Sequence, residues 1–296
     1  MSARLRLGVI GLGHFGRRHA RLCMGLAGVE LVAAADPDPR ATVSGLRRVA
    51  SCDELLGLGI DAAIVATPPS QNVAIATALA SAGVHALFEK PLATSVGAAR
   101  QIEATFRTAG LVAGVGHVER FNPAARALAA SLPQIAPLHE FIALRRGPPP
   151  ARSWELSVGL DLALHDLDLL AWMGSGIAQL RPTHTSRDKV HAEGALREGT
   201  RLSLVADRSA AKRERRLEAI GARGHLIADL VARELSLTPA HDPVPRVIYR
   251  AEPEFDALRC ELEGFCAAVL DQDRAELVTL EAGVEAVRFA AQLSAQ

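Results

Sequence analysis

Residues 5–36 run from a short apolar stretch, LRLGVI, through Gly11-Leu12-Gly13-His14-Phe15-Gly16, to a helix-length segment and then VELVAAA closed by Asp36. Few folds accept that order. A lone GxGxxG is weak evidence, because glycines also serve ordinary turns. Here it follows a strand pattern and opens a helix pattern, which is the context that gives the motif its meaning. Gly11 permits the tight turn, Gly13 lets backbone approach a pyrophosphate, and Gly16 lets the helix pack on the strand. His14 and Phe15 begin the helix, whose unpaired N–H groups and partial positive charge suit a diphosphate. Asp36 lies 20 residues beyond Gly16, where a carboxylate accepts hydrogen bonds from an adenosine ribose. The same carboxylate repels a 2′-phosphate, so NAD is expected over NADP; Arg40 keeps NADP open.

The alternation continues for about a third of the chain. Apolar strand patterns cover Leu5–Ile10, Val29–Ala35, Ile60–Thr67, Val84–Phe88 and Leu111–Val115. Helix patterns cover His14–Leu26, a stretch capped by Ser70 and running to Ala82, and Ser95–Thr108. Near-continuous apolar strands separated by helices predict a doubly wound parallel sheet covered on both faces. After Gly116 the pattern changes. A helix starts at Asn122-Pro123 and runs to about Leu132, a strand spans Leu138–Leu144, and a Leu-rich helix spans Gly159–Met173. From Ile177 to about Arg250 strands follow one another with polar turns, and helices over Phe255–Leu270 and Leu280–Leu293 close the chain. The expected fold is α/β: a Rossmann domain over 1–118 and an α+β domain over 119–296. The second domain carries an open, largely antiparallel sheet for substrate binding and oligomerisation, and its last helix packs back on the first domain.

Composition excludes some classes. Lys plus Arg and Asp plus Glu both number 33, so no net field draws the chain to nucleic acid or an anionic membrane. The start has no signal-peptide pattern and no apolar run is long enough to span a bilayer, so a cytoplasmic protein is expected. Cys23, Cys52, Cys260 and Cys266 have neither disulfide-framework nor zinc spacing. No metal is expected.

Two constellations carry chemistry. Glu89-Lys90-Pro91 ends a predicted parallel strand, the edge at which open α/β sheets bind ligands. A lysine there holds a substrate hydroxyl or relays a proton; equally, it is an exposed residue before a turn. Asp161, His165 and Asp168 stand at i, i+4 and i+7 and share one helix face. A carboxylate one turn away orients a histidine that takes a hydroxyl proton. Spacing alone also fits a solvated polar face. The basic segments Arg145-Arg146 and Asp207–Arg216 fit either a diphosphate contact or a solvated strand edge.

GLGHFGRRHA at 11–20, AADP at 34–37, ATPPSQN at 66–72, EKPLA at 89–93, GHVERFNP at 116–123, DLALHDLDLL at 161–170 and ELEGFCAAV at 261–269 together resemble the Gfo/Idh/MocA oxidoreductases. The resemblance implies that Lys90 and His165 act at the reacting carbinol, with Asp161 in support. It implies that Glu89 approaches the nicotinamide ribose, that Thr67 and Pro68 line the cofactor cleft, and that the Lys90–Pro91 bond is cis. It also implies that Arg120, Asn122 and Asp168 contact substrate, and that the chain forms a homodimer or homotetramer through the second sheet. Within the family, GHVERFNP and RRGPPPAR resemble the enzymes that oxidise UDP-N-acetylglucosamine at C3; inositol-like polyols and other keto sugars are the alternative substrates. A dinucleotide-binding regulator without turnover is the alternative of another class. One departure is Asn72, where the family pattern after TPPS has histidine.

Overall fold

The computed structural model describes residues 4–149, 156–271 and 273–293. The chain divides into two compact units, Met1–His117 with Leu258–Val287, and Val118–Ala257 with Arg288–Gln296.

The first unit is built on β1 (Leu5–Ile10), α1 (His14–Cys23), β2 (Val29–Ala35), β3 (Arg48–Val49), α2 (Cys52–Leu56), β4 (Ala62–Val65), α3 (Asn72–Ser81), β5 (His85–Glu89), α4 (Val96–Ala109) and β6 (Ala113–Gly116). Its strands are all parallel, in the order β3-β2-β1-β4-β5-β6. Every residue of β4 is buried, as a strand covered on both faces must be. The order reverses between β1 and β4, so a crevice opens there at the carboxyl ends of the strands. Ser95 caps α4 by accepting the Ala98 N–H at 3.3 Å, and Gly110 ends that helix at φ 67°. Ser70 does not cap α3. Pro69–Gln71 instead forms a 3₁₀ turn and α3 starts at Asn72 without a side-chain cap, because proline suits a first helical turn and leaves Ser70 inside it.

Two elements have no counterpart in the sequence reading: β3, of two residues, and α2, of five. Neither is long enough for a periodic apolar pattern. α2 does carry a local signature, with Ser51 Oγ accepting from Glu54 N–H and Glu54 Oε2 accepting from the N–H of Ala50, one residue before the cap, a variant of the capping box. The helix α7 (Ala257–Leu270) brings Leu262, Phe265 and Cys266 into the core that holds Leu7, Val9 and Ile64. The segment after it reaches the edge strand β6, where Val115 N–H donates to Val278 O at 3.0 Å. These contacts place Leu258–Val287 in the first unit although they follow the second in sequence.

The second unit carries α5 (Pro123–Ile135), β7 (Leu138–Arg146), α6 (Leu164–Met173), β8 (Ile177–Thr185), β9 (Lys189–Leu196), β10 (Arg201–Asp207), β11 (Glu214–Gly221), β12 (Gly224–Asp229), β13 (Glu234–Pro239) and β14 (Arg246–Arg250). The helix α8 (Leu280–Gln292) begins in the first unit and ends in this one. The sheet order is β14-β13-β12-β11-β7-β10-β9-β8, antiparallel except for the β7–β10 pair. On β7, Phe141, Ala143 and Arg145 are buried at alternate positions, the pattern of a sheet with one packed face. The edge strand β14 is exposed throughout.

The expected helix over Gly159–Met173 is two pieces. Gly159–Ala163 is a π turn closed by Leu164 N–H donating to Gly159 O, and α6 follows. A Cβ on Gly159 would lie 2.6 Å from Ala290 O, so glycine permits the close approach of backbone to α8 there. Asp161 lies within this wide turn, and His165 follows in the first turn of α6.

Candidate active site

In the first unit, four strand ends supply the candidate residues. Gly11, after β1, has φ 91°, and a Cβ there would lie 2.6 Å from Ala66 O beyond β4. A Cβ on Gly16 would lie 1.8 Å from Gly11 O, whereas one on Gly13 would meet nothing within 4 Å. That contrast fits a pyrophosphate-bearing cofactor: two glycines close the turn and the third leaves open space beside free helix N–H groups. His14 and Phe15 are exposed at the helix start. Substitution separates the two uses of glycine. Gly13→Ala is expected to leave thermal unfolding unchanged while weakening NAD binding at least about tenfold by calorimetry. Gly16→Ala is expected to destabilise the fold by about 1–3 kcal/mol in denaturant unfolding.

Asp36 follows β2. Its Oδ2 accepts the Leu12 N–H of the glycine turn at 2.7 Å and its Oδ1 accepts the Asp38 N–H at 2.9 Å. The carboxylate is thus fixed at the end of the glycine turn, where an adenosine ribose is read. Arg40, the residue that kept NADP open, lies 3.0 Å from Asp38, and its hydrogen bond holds that carboxyl below the usual range.

After β4, Thr67 and Pro68 reach the same edge. Thr67 Oγ1 donates to Asn72 Oδ1 at 3.2 Å, and Asn72 Nδ2 donates to Leu92 O at 2.9 Å. The buried Asn72 thus ties the turn after β4 to the turn after β5, which is where its departure from the family pattern acts. After β5 come Glu89 and Lys90, both half-buried, and the Lys90–Pro91 bond is cis. Glu89 Oε2 accepts the Lys90 N–H at 3.1 Å, and Glu89 Oε1 lies 2.6 Å from Nε2 of His19, a buried residue of α1. Sequence reasoning missed His19, whose only trace is its place at 11–20 in GLGHFGRRHA.

In the second unit, α6 carries His165, half-buried, followed by the buried Asp166 and Asp168. Arg120 grips Asp168 with both ends of its fork, Nε at 2.8 Å and Nη2 at 2.7 Å. Arg145 of β7 grips Asp166 with Nε at 2.9 Å and Nη2 at 2.8 Å, and donates Nη1 to Glu119 at 2.9 Å. Arg215 adds a bond to the same Glu119 oxygen at 3.1 Å. Burial alone would raise the Glu119 pKa, but the Arg145 and Arg215 charges outweigh it and hold it below the usual range. Burial opposes the Arg145 charge too, and the Asp166 and Glu119 carboxylates more than restore it. Asn122 is bound at both ends of its amide, accepting Ala124 N–H as the cap of α5 and donating to Leu230 O and Glu119. Asp161, in the π turn, lies 3.5 Å from Arg208, which also bonds Asp188 and the carbonyls of Leu156 and Arg187.

The basic segments are therefore internally engaged more than their sequence suggests. Arg145, Arg208 and Arg215 pair inside the unit, and Arg216 pairs with Glu218 at 2.9 Å. Lys212 and Arg213 are exposed. The Pro150–Arg152 part of RRGPPPAR lies outside the described residues. Among the described residues no group of three or more His, Cys, Asp or Glu converges on a metal position. None of the described helices is long and apolar enough to cross a membrane.

Comparison with known proteins agrees with this geometry. Residues 5–117 match the model of an oxidoreductase family with an NAD-binding Rossmann fold. The chain is 29% identical over 280 residues to a UDP-N-acetylglucosamine 3-dehydrogenase of Acidithiobacillus ferrooxidans, covering 90% of this chain and 88% of that one. It is 31% identical over 181 residues to an inositol 2-dehydrogenase of Acidothermus cellulolyticus, covering 57% and 53%. A solved structure of the Acidithiobacillus ferrooxidans enzyme superposes with a TM-score of 0.88 at 26% identity, over 98% of this chain and 96% of that one.

Proposed function

We propose that the chain, whose residues 5–117 match the model of the Gfo/Idh/MocA oxidoreductases with an NAD-binding Rossmann fold, oxidises a secondary alcohol of a sugar or polyol, with UDP-N-acetylglucosamine at C3 as the first candidate. The observation that carries the reading is the arrangement at the strand ends. An open glycine cradle and a fixed Asp36 stand on β1 and β2, and Lys90 ends β5 on the same edge of the sheet. A dinucleotide sensor needs the first two and has no use for the lysine.

NAD, when bound, would supply the hydride acceptor for the carbinol carbon. Gly11, Gly13, Gly16 and the start of α1 hold its pyrophosphate, Asp36 its adenosine ribose, and Glu89 its nicotinamide ribose, with Thr67 and Pro68 along the cleft. Lys90 hydrogen-bonds the substrate oxygen and His165 takes the hydroxyl proton, so the oxygen loses its proton as the carbon loses hydride. Asp161 is the supporting carboxylate of His165, and Arg120, Asn122 and Asp168 are the substrate contacts, with the Arg120–Asp168 pair also pinning the helix that carries His165. The fit of an extended nucleotide sugar rests on the 280-residue match to the UDP-N-acetylglucosamine enzyme. The inositol dehydrogenase relative keeps cyclic polyols as the second reading.

The open sheet of the second unit is the surface for self-association into a dimer or tetramer, which light scattering after gel filtration measures. The function is tested by incubating the chain with NAD⁺ and a panel of UDP-sugars, free sugars and inositols while following reduced cofactor by absorbance. UDP-N-acetylglucosamine is expected to show the highest kcat/KM. Highest turnover of an inositol would select the second reading, and no turnover of any member would sink both.

A further inference from the structure

His19 is 1% exposed, and its Nε2 lies 2.6 Å from Glu89 Oε1, across a sequence separation of 70 residues. Its Nδ1 is also buried and has no hydrogen-bond partner among the described residues. With Nε2–H donating to the carboxylate, Nδ1 is left as a lone pair, which costs less when buried unpaired than an N–H would. A charge-assisted bond of this length fixes the acceptor's orientation. The second oxygen of Glu89 takes the Lys90 N–H, so the carboxylate is held on both sides. α1 thereby does two things. Its N-terminus carries the N–H groups proposed for the phosphates, and its second turn reaches Glu89 at the end of β5.

We propose that His19 is a positioning residue that sets the Glu89 carboxylate to receive the nicotinamide half of NAD, through the bond from Nε2 to Glu89. This rests on the NAD-dependent reading above. It assigns His19 no contact with cofactor or substrate; its effect is transmitted by Glu89. The adenosine half is assigned to the glycine turn and Asp36, whereas the side-chain bond of His19 goes to Glu89.

The test is binding of NAD and of ADP, measured by calorimetry on the full chain. ADP carries the diphosphate and the adenosine ribose but lacks the nicotinamide ribose. His19→Leu removes the donor and is expected to raise the Kd for NAD by about tenfold, the scale of one lost hydrogen bond to a charged group. The Kd for ADP is expected to stay within about twofold. His19→Gln, whose amide nitrogen takes the place of Nε2, is expected to restore NAD binding to within about threefold. His19→Asn, whose shorter amide stops short of Glu89, reads the same bond with a polar group retained if the leucine variant folds poorly. In a Glu89→Ala background, His19→Asn is expected to add nothing to the loss of NAD affinity. Parallel loss of NAD and ADP would mean that α1 itself is disturbed and would overturn the proposal, as would unchanged NAD binding in His19→Leu and His19→Asn. A wild-type chain that binds ADP but not NAD would overturn the functional reading and this proposal together.

Discussion

Replacing Lys90 or His165 by alanine is expected to lower kcat for hydride transfer by about 10²–10⁴-fold, the range for removing a positioned acid or base. Calorimetric NAD affinity is expected to stay within about threefold, because the glycine turn and Asp36 are untouched. The contrast with His19 is diagnostic: Lys90→Ala and His165→Ala act on turnover and spare binding, whereas His19→Leu acts on binding of NAD and spares ADP. Undiminished kcat in both single variants would remove the assigned roles, whatever the chain binds.

Arg145→Met is expected to cost about 3–5 kcal/mol, because it strands the buried carboxylates of Asp166 and Glu119. For a domain of this size the thermal midpoint should fall by about ten degrees. Arg145 is 1% exposed and bonds Asp166 and Glu119 together. Acid unfolding gives a second readout. In the native protein Glu119 is held below its ordinary pKa, so its contribution to stability is present above the unfolded carboxylate range and is lost as pH falls through the depressed folded value. Removing Arg145 raises that folded value, so less stability is lost through Glu119 on acidification, and the gap between wild type and Arg145→Met should narrow as pH falls through the carboxylate range. Midpoints by circular dichroism across a pH series measure both effects. A gap that stays constant with pH would show that Glu119 does not depend on Arg145. His165 sits on the helix that Arg145 and Arg120 pin through Asp166 and Asp168, so the same variant should also lower kcat.

What was legible in the chain follows from where the information is local. β4 announces itself because four consecutive buried residues leave an unbroken apolar run. The glycine turn and Asp36 are readable because turn, helix start and strand end lie within one short unit. Lys90 and His165 stood out only once the family resemblance was added to their spacing. The ionic frame behind them was invisible. His19 and Glu89 are 70 residues apart, Arg215 and Glu119 are 96 apart, and Arg120 and Asp168 are 48 apart. Pairings at such separations leave no periodic trace in a sequence. The same blindness applies to Arg145. It reads as half of a basic doublet, yet its place at every second residue with Phe141 and Ala143 sends it inward, while Arg146 faces the other way toward Glu214 at 3.8 Å. The π turn was hidden for a different reason: its residues have ordinary helical composition, and only the closeness of Gly159 to Ala290 marks the site.

Asp36 constrains how this chain can change its coenzyme. Its two oxygens hold the Leu12 and Asp38 N–H groups, so the residue proposed to discriminate against a 2′-phosphate is also the brace of the turn proposed to receive the diphosphate. A replacement by alanine or glycine removes the repulsion and the brace in one step, and the enzyme that results would handle either coenzyme poorly. Asparagine or serine keeps an acceptor for the Leu12 N–H while giving up the negative charge. A route from NAD to NADP through this position is therefore narrow, and a redesign has to begin with a neutral acceptor at 36 before any arginine is added nearby.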